Sequence, residues 1–292
     1  MGLASGGGAW WFRYLLMNPG RNGCADNPRG KPVQVWATWF PRDGSPQSFI
    51  QGFALKGLDL SARSRAPFHF RISNQGVEEG SCKGALDGEG HSISWDLQYR
   101  STCRFTLSDK GWIGFSRTPH SDARFSGQII FDDRIFVGDP LGFGLQGHNC
   151  GYRHRSFWSW AHIYLPRSQG RVSTLEALVY DMPFGLVFRK AVLWHDGKAH
   201  VFRGLAESKR DRENLQWEFR CVSRNGIQLE VALDGSGASL HRLPYLKTDC
   251  SGTFEVANNS LAKASVRMRQ RGGLVEELET NIGAVLEMAG SR

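Results

Sequence analysis

No apolar run in this chain approaches the roughly 20 residues that a membrane-spanning helix needs. Helical periodicity is scarce, and only Gly273 to Glu279 has a spacing that predicts a short helix. Cysteine is sparse. Cys24, Cys82, Cys103, Cys150, Cys221 and Cys250 are the six in 292 residues, and no two form a C-x-x-C pair. That spacing argues against a zinc ribbon or a thioredoxin-like motif and is too thin for a disulfide scaffold. Reduced, packed thiols and a cytoplasmic location are expected. The opening residues lack a basic stretch, and Arg13 interrupts their apolar run, so no signal peptide is expected.

Clustered charge is missing as well. The net charge is +8, but residues 1–147 carry 16 basic and 13 acidic side chains and residues 148–292 carry 20 and 15. The excess is spread evenly, which excludes the concentrated basic patch of a nucleic-acid binder. It leaves a mild attraction to anionic surfaces, an anionic membrane face among them. Cofactor signatures are also absent. Gly142-Phe-Gly-Leu-Gln-Gly matches G-x-G-x-x-G, but no strand–helix–strand unit surrounds it, and there is no G-x-S-x-G nucleophile turn. No cofactor is expected.

What the chain does contain is period-2 alternation. Phe68 to Ile72, Ser92 to Tyr99, Gln216 to Val222 and Ala264 to Arg269 all alternate, as half-buried strands do. Between such runs stand Arg42-Asp43-Gly44, Asp87-Gly88, Asp196-Gly197, Asn225-Gly226 and Asp234-Gly235, pairs that accept the positive φ of tight hairpins. A repeat is visible in the spacing. Ala85-Leu-Asp-Gly matches Ala232-Leu-Asp-Gly at an offset of 147, and the same offset carries Trp11 to Trp158. The expected fold is therefore all-β, as two tandem antiparallel barrels over residues 1–130 and 131–292. Ten tryptophans and eighteen phenylalanines favour barrels that hold a ligand.

The densest stretch is Gly144-Leu-Gln-Gly-His-Asn-Cys-Gly-Tyr followed by Phe157-Trp-Ser-Trp-Ala-His-Ile-Tyr-Leu. Together with Ala9-Trp-Trp-Phe-Arg-Tyr and Leu178-Val-Tyr-Asp, it resembles the lipocalin-like tocopherol cyclase and carotenoid hydratase family, whose double-barrel plan fungal decalin-forming Diels–Alderases share. The resemblance implies two lipocalin-like (calycin) domains, an elongated apolar ligand of isoprenoid, quinol or polyketide type, and cofactor-free cyclisation, isomerisation or hydration. The chain departs from the family pattern at Ala9, where an acidic residue is common, and at His154, which stands nearest a family aspartate.

Protonating an alkene needs an acid shielded from water and aromatic faces to stabilise the cation. His148 and His154 are the candidate proton carriers, and Asn149 is the candidate residue to orient one of them. Trp158, Trp160 and His162 share one face of a strand and are candidates to line the ligand site, with Trp11, Tyr152 and Asp181. Asp181 and Glu176 are the reserve acids. The three histidines match no metal-binding spacing, so no metal is expected. The alternative function is a non-catalytic carrier or structural protein whose barrels are filled by their own side chains.

Overall fold

The computed structural model describes residues 7–24, 30–61, 68–110, 114–270 and 273–290. The part of the leader-peptide expectation that falls on residues 1–6 lies outside them. Three antiparallel sheets carry nearly all of the described chain. The first is β1 (Gly8–Leu16), β2 (Val33–Pro41) and β3 (Gln47–Phe53) in that order. The second comprises β4 (His69–Ile72), β5 (Gln75–Glu78), β6 (Ser81–Gly88), β7 (His91–Arg100), β8 (Phe105–Lys110), β9 (Gly114–Phe131) and β10 (Arg134–Gly151). Its order is β10-β9-β7-β6-β5-β4, with β8 also paired on β9.

The third sheet holds β11 (Trp158–Pro166), β12 (Val172–Asp181), β13 (Val187–His195), β14 (Lys198–Asp211), β15 (Gln216–Ser223), β16 (Ile227–Asp234), β17 (His241–Leu246), β18 (Thr253–Gln270) and β19 (Gly273–Ala289). They run β16-β15-β14-β13-β12-β11-β19-β18-β17. β16 then pairs back onto β18, from Ile227 opposite Gln270 to Asp234 opposite Lys263, and closes an eight-stranded barrel. β17 sits outside that ring, on the first half of β18.

The two halves follow one plan. In the first, β7 skips β8 to pair with β9; in the second, β16 skips β17 to pair with β18. β9 and β18 begin at 114 and 253, and β10 and β19 at 134 and 273, so both pairs lie 139 residues apart. The 147-residue offset is thereby corrected. Its Ala-Leu-Asp-Gly segments end β6 and β16, which hold different places in the plan. The division between halves also differs from 130/131. β10 pairs with β9 from Arg134 opposite Phe131 onward, so pairing leaves it in the N-terminal sheet and the change of sheet falls between Gly151 and Trp158.

Two further expectations are corrected. Gly273 to Glu279 is strand, not helix. Seven residues make a marginal helix, whereas β18 offers them a full partner, with Arg267 opposite Glu277 and its Nε donating at 2.6 Å. Cys24 and Cys250, 226 residues apart, form a disulfide between the loop after β1 and the loop before β18. Cys82, Cys103 and Cys221 are free and buried, and Cys150 is free and exposed. The Asp196-Gly197 turn has both residues at positive φ (46° and 70°), as the sequence predicts. The β6–β7 turn falls one step later than Asp87-Gly88, on Glu89 and Gly90 (53° and 83°).

Each half has its own packed interior. Trp10, Phe12, Trp39, Trp95, Phe125 and Phe131 fill the first, where Trp10 stacks on Trp39 at 4.1 Å and Phe12 on Trp95 at 4.5 Å. Phe202, Trp217, Phe219, Leu229, Met268 and Leu286 fill the closed barrel. β2 is buried on both faces, and its sequence Val-Gln-Val-Trp-Ala-Thr-Trp-Phe is correspondingly apolar throughout. Val33, Val35, Ala37 and Trp39 face their own core, while Trp36 and Phe40 face the other half. The Ser48 hydroxyl meets His241 Nε2 at 2.8 Å, and the Ser239 hydroxyl donates to the Pro41 carbonyl at 2.9 Å, along the same seam.

Candidate functional site

Alternation on β11 divides its side chains cleanly. Ala161, Ile163 and Leu165 enter the barrel core, while Trp158, Trp160 and His162 point out of the barrel toward the N-terminal half. On this strand the small and aliphatic residues enter an interior already filled by Phe202, Trp217 and Phe219, and the large aromatics sit outside, where a second sheet can cover them. The candidate site is this outward face and its continuation across β12 and β13.

Around Trp158 lies an aromatic cluster shared by both halves. Trp158 packs on Phe254 at 5.8 Å and on Tyr245 at 6.4 Å, and its indole N–H donates to Glu287 Oε1 at 2.8 Å. From the other side, the Arg13 guanidinium stands 4.7 Å from the Tyr245 ring, 5.2 Å from Trp36 and 5.9 Å from Trp11. His154 completes the cluster, 5.3 Å from Phe254 and 6.0 Å from Tyr245. Burial, and Arg13 beside it, push the His154 pKa down to about 4, so the imidazole is neutral at pH 7. Its Nδ1 is buried without a hydrogen-bond partner among the described residues.

Two residues further along β11, Trp160 meets a buried acid. Glu176 on β12 is only 2% exposed. Its Oε1 accepts the Trp160 indole N–H at 2.8 Å, and its Oε2 accepts the Thr118 hydroxyl from β9. Burial raises its pKa to about 7; the two hydrogen bonds and Lys190 oppose that rise. Leu178, Tyr180, Val192, Met182 and Phe188 continue the same face as an apolar surface, with Tyr180 stacked on Phe188 at 4.7 Å. The arrangement is an apolar, aromatic surface carrying one carboxyl that titrates near neutrality.

Of the residues expected at the site, Trp11, His154 and Trp158 come together, and Trp160 joins Glu176. His162 is fully buried beyond them, where its Nε2–H donates to the Ser121 carbonyl at 2.8 Å; burial lowers its pKa to about 4. Asp181 ties a loop: it accepts from the Ser156 hydroxyl at 2.7 Å and from the Phe157 amide at 3.2 Å. His148 and Asn149 lie exposed at the end of β10, where the His148 ring packs on Phe115 at 5.1 Å and Phe68 at 5.9 Å. Partial burial and Arg117 lower the His148 pKa. Tyr152 is exposed.

Thr118, Tyr245, Phe254, Glu287 and Arg13 were not anticipated. Arg13 carried a readable signal, a lone cation two residues after Trp11 on the same strand face. The others lie 58 to 129 residues from the site residues they contact and carried none. Among the described residues, neither packed interior offers an apolar cavity of the expected kind. A concavity of about 680 Å³ opens at the barrel end around Arg210, but Glu207, Lys209, Asp211, Arg212 and Glu213 line it, and charged walls do not suit an apolar ligand.

Fold and face together define an all-antiparallel β-protein, with one closed eight-stranded barrel, further sheets and a polar–aromatic seam between its halves. No family model and no curated protein matches the chain by sequence. Among solved structures it is similar to kievitone hydratase from Nectria haematococca, with a TM-score of 0.57 and 11% identity over 98% of this chain and 89% of that one. It is also similar to CghA, with a TM-score of 0.53 and 13% identity over 97% of this chain and 87% of that one. At such identities the likeness is one of fold.

Proposed function

We propose that the chain binds an elongated apolar molecule against the outward face of β11–β13 and performs cofactor-free proton-transfer chemistry on a carbon–carbon double bond, as hydration, cyclisation or isomerisation. One observation carries this reading: the Glu176 carboxyl is buried and enclosed by Trp160, Thr118 and an apolar surface, and that burial pushes its pKa up to about 7. At neutral pH such a group is present in both forms, which general acid–base catalysis needs. In the hydration case, the carboxylic acid gives its proton to one alkene carbon and the cation forms beside Trp160. Water adds to the other carbon, and its surplus proton returns to the Glu176 carboxylate. The neutral His154 imidazole, with its unpartnered Nδ1, would bind a polar end of the ligand. A hydratase with the same fold is consistent with this reading.

The test is Glu176→Gln with a panel of prenylated quinols, carotenoid precursors and polyketide-like polyenes. Turnover should fall by roughly 10²–10⁴-fold, while quenching of tryptophan fluorescence by the ligand persists. A second reading, a carrier or structural protein, is favoured by the two self-filled interiors. Ligand binding without turnover in the native chain would select the carrier, and no fluorescence change with any ligand would select the structural protein.

A further inference from the structure

The turn between β12 and β13 has features that the folded core does not need. Phe184 at its tip is 99% exposed, and Leu186 beside it is 60% exposed. Phe184 also holds a left-handed conformation (φ 64°), followed by Gly185 at φ 71°. A bulky side chain is costly there, and glycine or asparagine would serve a purely structural turn better. The turn is nonetheless fixed at its base, where the Met182 amide donates to the Leu186 carbonyl at 2.8 Å. Beside it runs the segment before β11, held to the end of β12 by the Ser156 and Phe157 bonds to Asp181. That segment presents Tyr152, 80% exposed, with exposed Arg153 and half-buried Arg155, whose guanidinium stands 5.0 Å from the Tyr180 ring. Arg189 follows on β13 and faces Glu207 at 4.0 Å. The nearby Asp181 is occupied by its two hydrogen bonds.

We propose that this end of the barrel docks on an anionic lipid bilayer, with Phe184 and Leu186 entering the interface and Tyr152 and the arginines meeting the headgroups. Protruding apolar side chains ringed by basic ones are the pattern that reversible interfacial binding requires. The even net charge adds a general attraction to the same surface. The stripe also continues inward: Phe188 and Lys190 on β13, with Leu186 just before it, and Tyr180, Leu178 and Glu176 on β12, with Met182 just after it, occupy alternate positions, and the strand residues share one face. That continuity would deliver a bilayer-dissolved apolar molecule to Glu176. The delivery rests on the catalytic reading above; the docking does not.

Sedimentation of the full chain with vesicles of phosphatidylcholine, with and without phosphatidylserine, tests the proposal. Binding is expected to phosphatidylserine vesicles and should weaken as salt rises. The double variant Phe184→Ser, Leu186→Ser should bind about tenfold or more weakly, since it removes most of the inserting apolar area. It should keep the native circular dichroism, because neither side chain packs in a core. Phe184→Trp should give a blue-shifted emission on vesicle addition. Glu176→Gln should bind vesicles like the native chain, which separates a failure of the docking from a failure of the chemistry. Absence of binding to phosphatidylserine vesicles, or equal binding by the double variant, would overturn the proposal.

Discussion

Replacing Glu176 by glutamine isolates the cost of keeping a carboxyl inside the seam. Its ordinary pKa is 4.5 and its folded value is about 7, raised chiefly by burial. A carboxyl whose folded pKa is raised binds more protons in the folded chain than in the unfolded one between those two values, so stability falls as pH rises through that window. Below about pH 4.5 both states are protonated and nothing is lost. Above about 7 the full penalty is present, about 3 kcal/mol at roughly 1.4 kcal/mol per pH unit. Glutamine keeps the shape and an oxygen acceptor but cannot ionise. Glu176→Gln should therefore match the native chain in urea denaturation near pH 4.5, gain on it steadily to about pH 7, and stay ahead by about 2–3 kcal/mol at pH 8. A difference that does not vary with pH, or one that shrinks as pH rises, would refute the burial argument and remove the proton donor from the proposed mechanism.

Three further outcomes follow from other contacts. Trp160→Phe deletes the indole donor that favours the ionised carboxylate, so the pH window of the Glu176 penalty should move upward, read from the same denaturation series. Arg210→Met should cost about 2–4 kcal/mol in urea denaturation, because its guanidinium donates to the Ser159 hydroxyl at 2.8 Å, the Ala289 carbonyl at 3.0 Å and the Trp158 carbonyl at 3.1 Å, and would leave these groups unsatisfied. Reduction of Cys24–Cys250, or Cys24→Ala with Cys250→Ala, should lower stability by about 2–5 kcal/mol, since the bond closes a loop of most of the chain; a melting temperature unchanged by reductant would count against it.

Much of the fold was legible because side-chain alternation and turn chemistry are local. Ser92 to Tyr99 reads as a strand with one wet face, and β7 has that burial pattern. Asp196-Gly197 reads as a tight hairpin because both residues tolerate positive φ, and it joins β13 to β14. The same local signals placed Trp158, Trp160 and His162 on one strand face. They could not say which face enters the barrel, because Ala161, Ile163 and Leu165 are equally able to be buried. Tertiary packing decided it: with Phe202, Trp217 and Phe219 already filling the closed ring, the smaller set of β11 entered it and the tryptophans were left for the seam. Gly273 to Glu279 became strand because β18, whose paired residues stand only 3 to 14 positions earlier in the chain, offers a full hydrogen-bonding partner, whereas seven residues make only a marginal helix. Cys24 and Cys250 bond across 226 residues, a partnership that no local window can show. Glu176 could be listed as an acid from composition alone, but its proton affinity is a property of its surroundings. Only the meeting of β9, β11 and β12 excludes water from that carboxyl, gives it Thr118 and Trp160 as donors, and brings its titration to neutral pH.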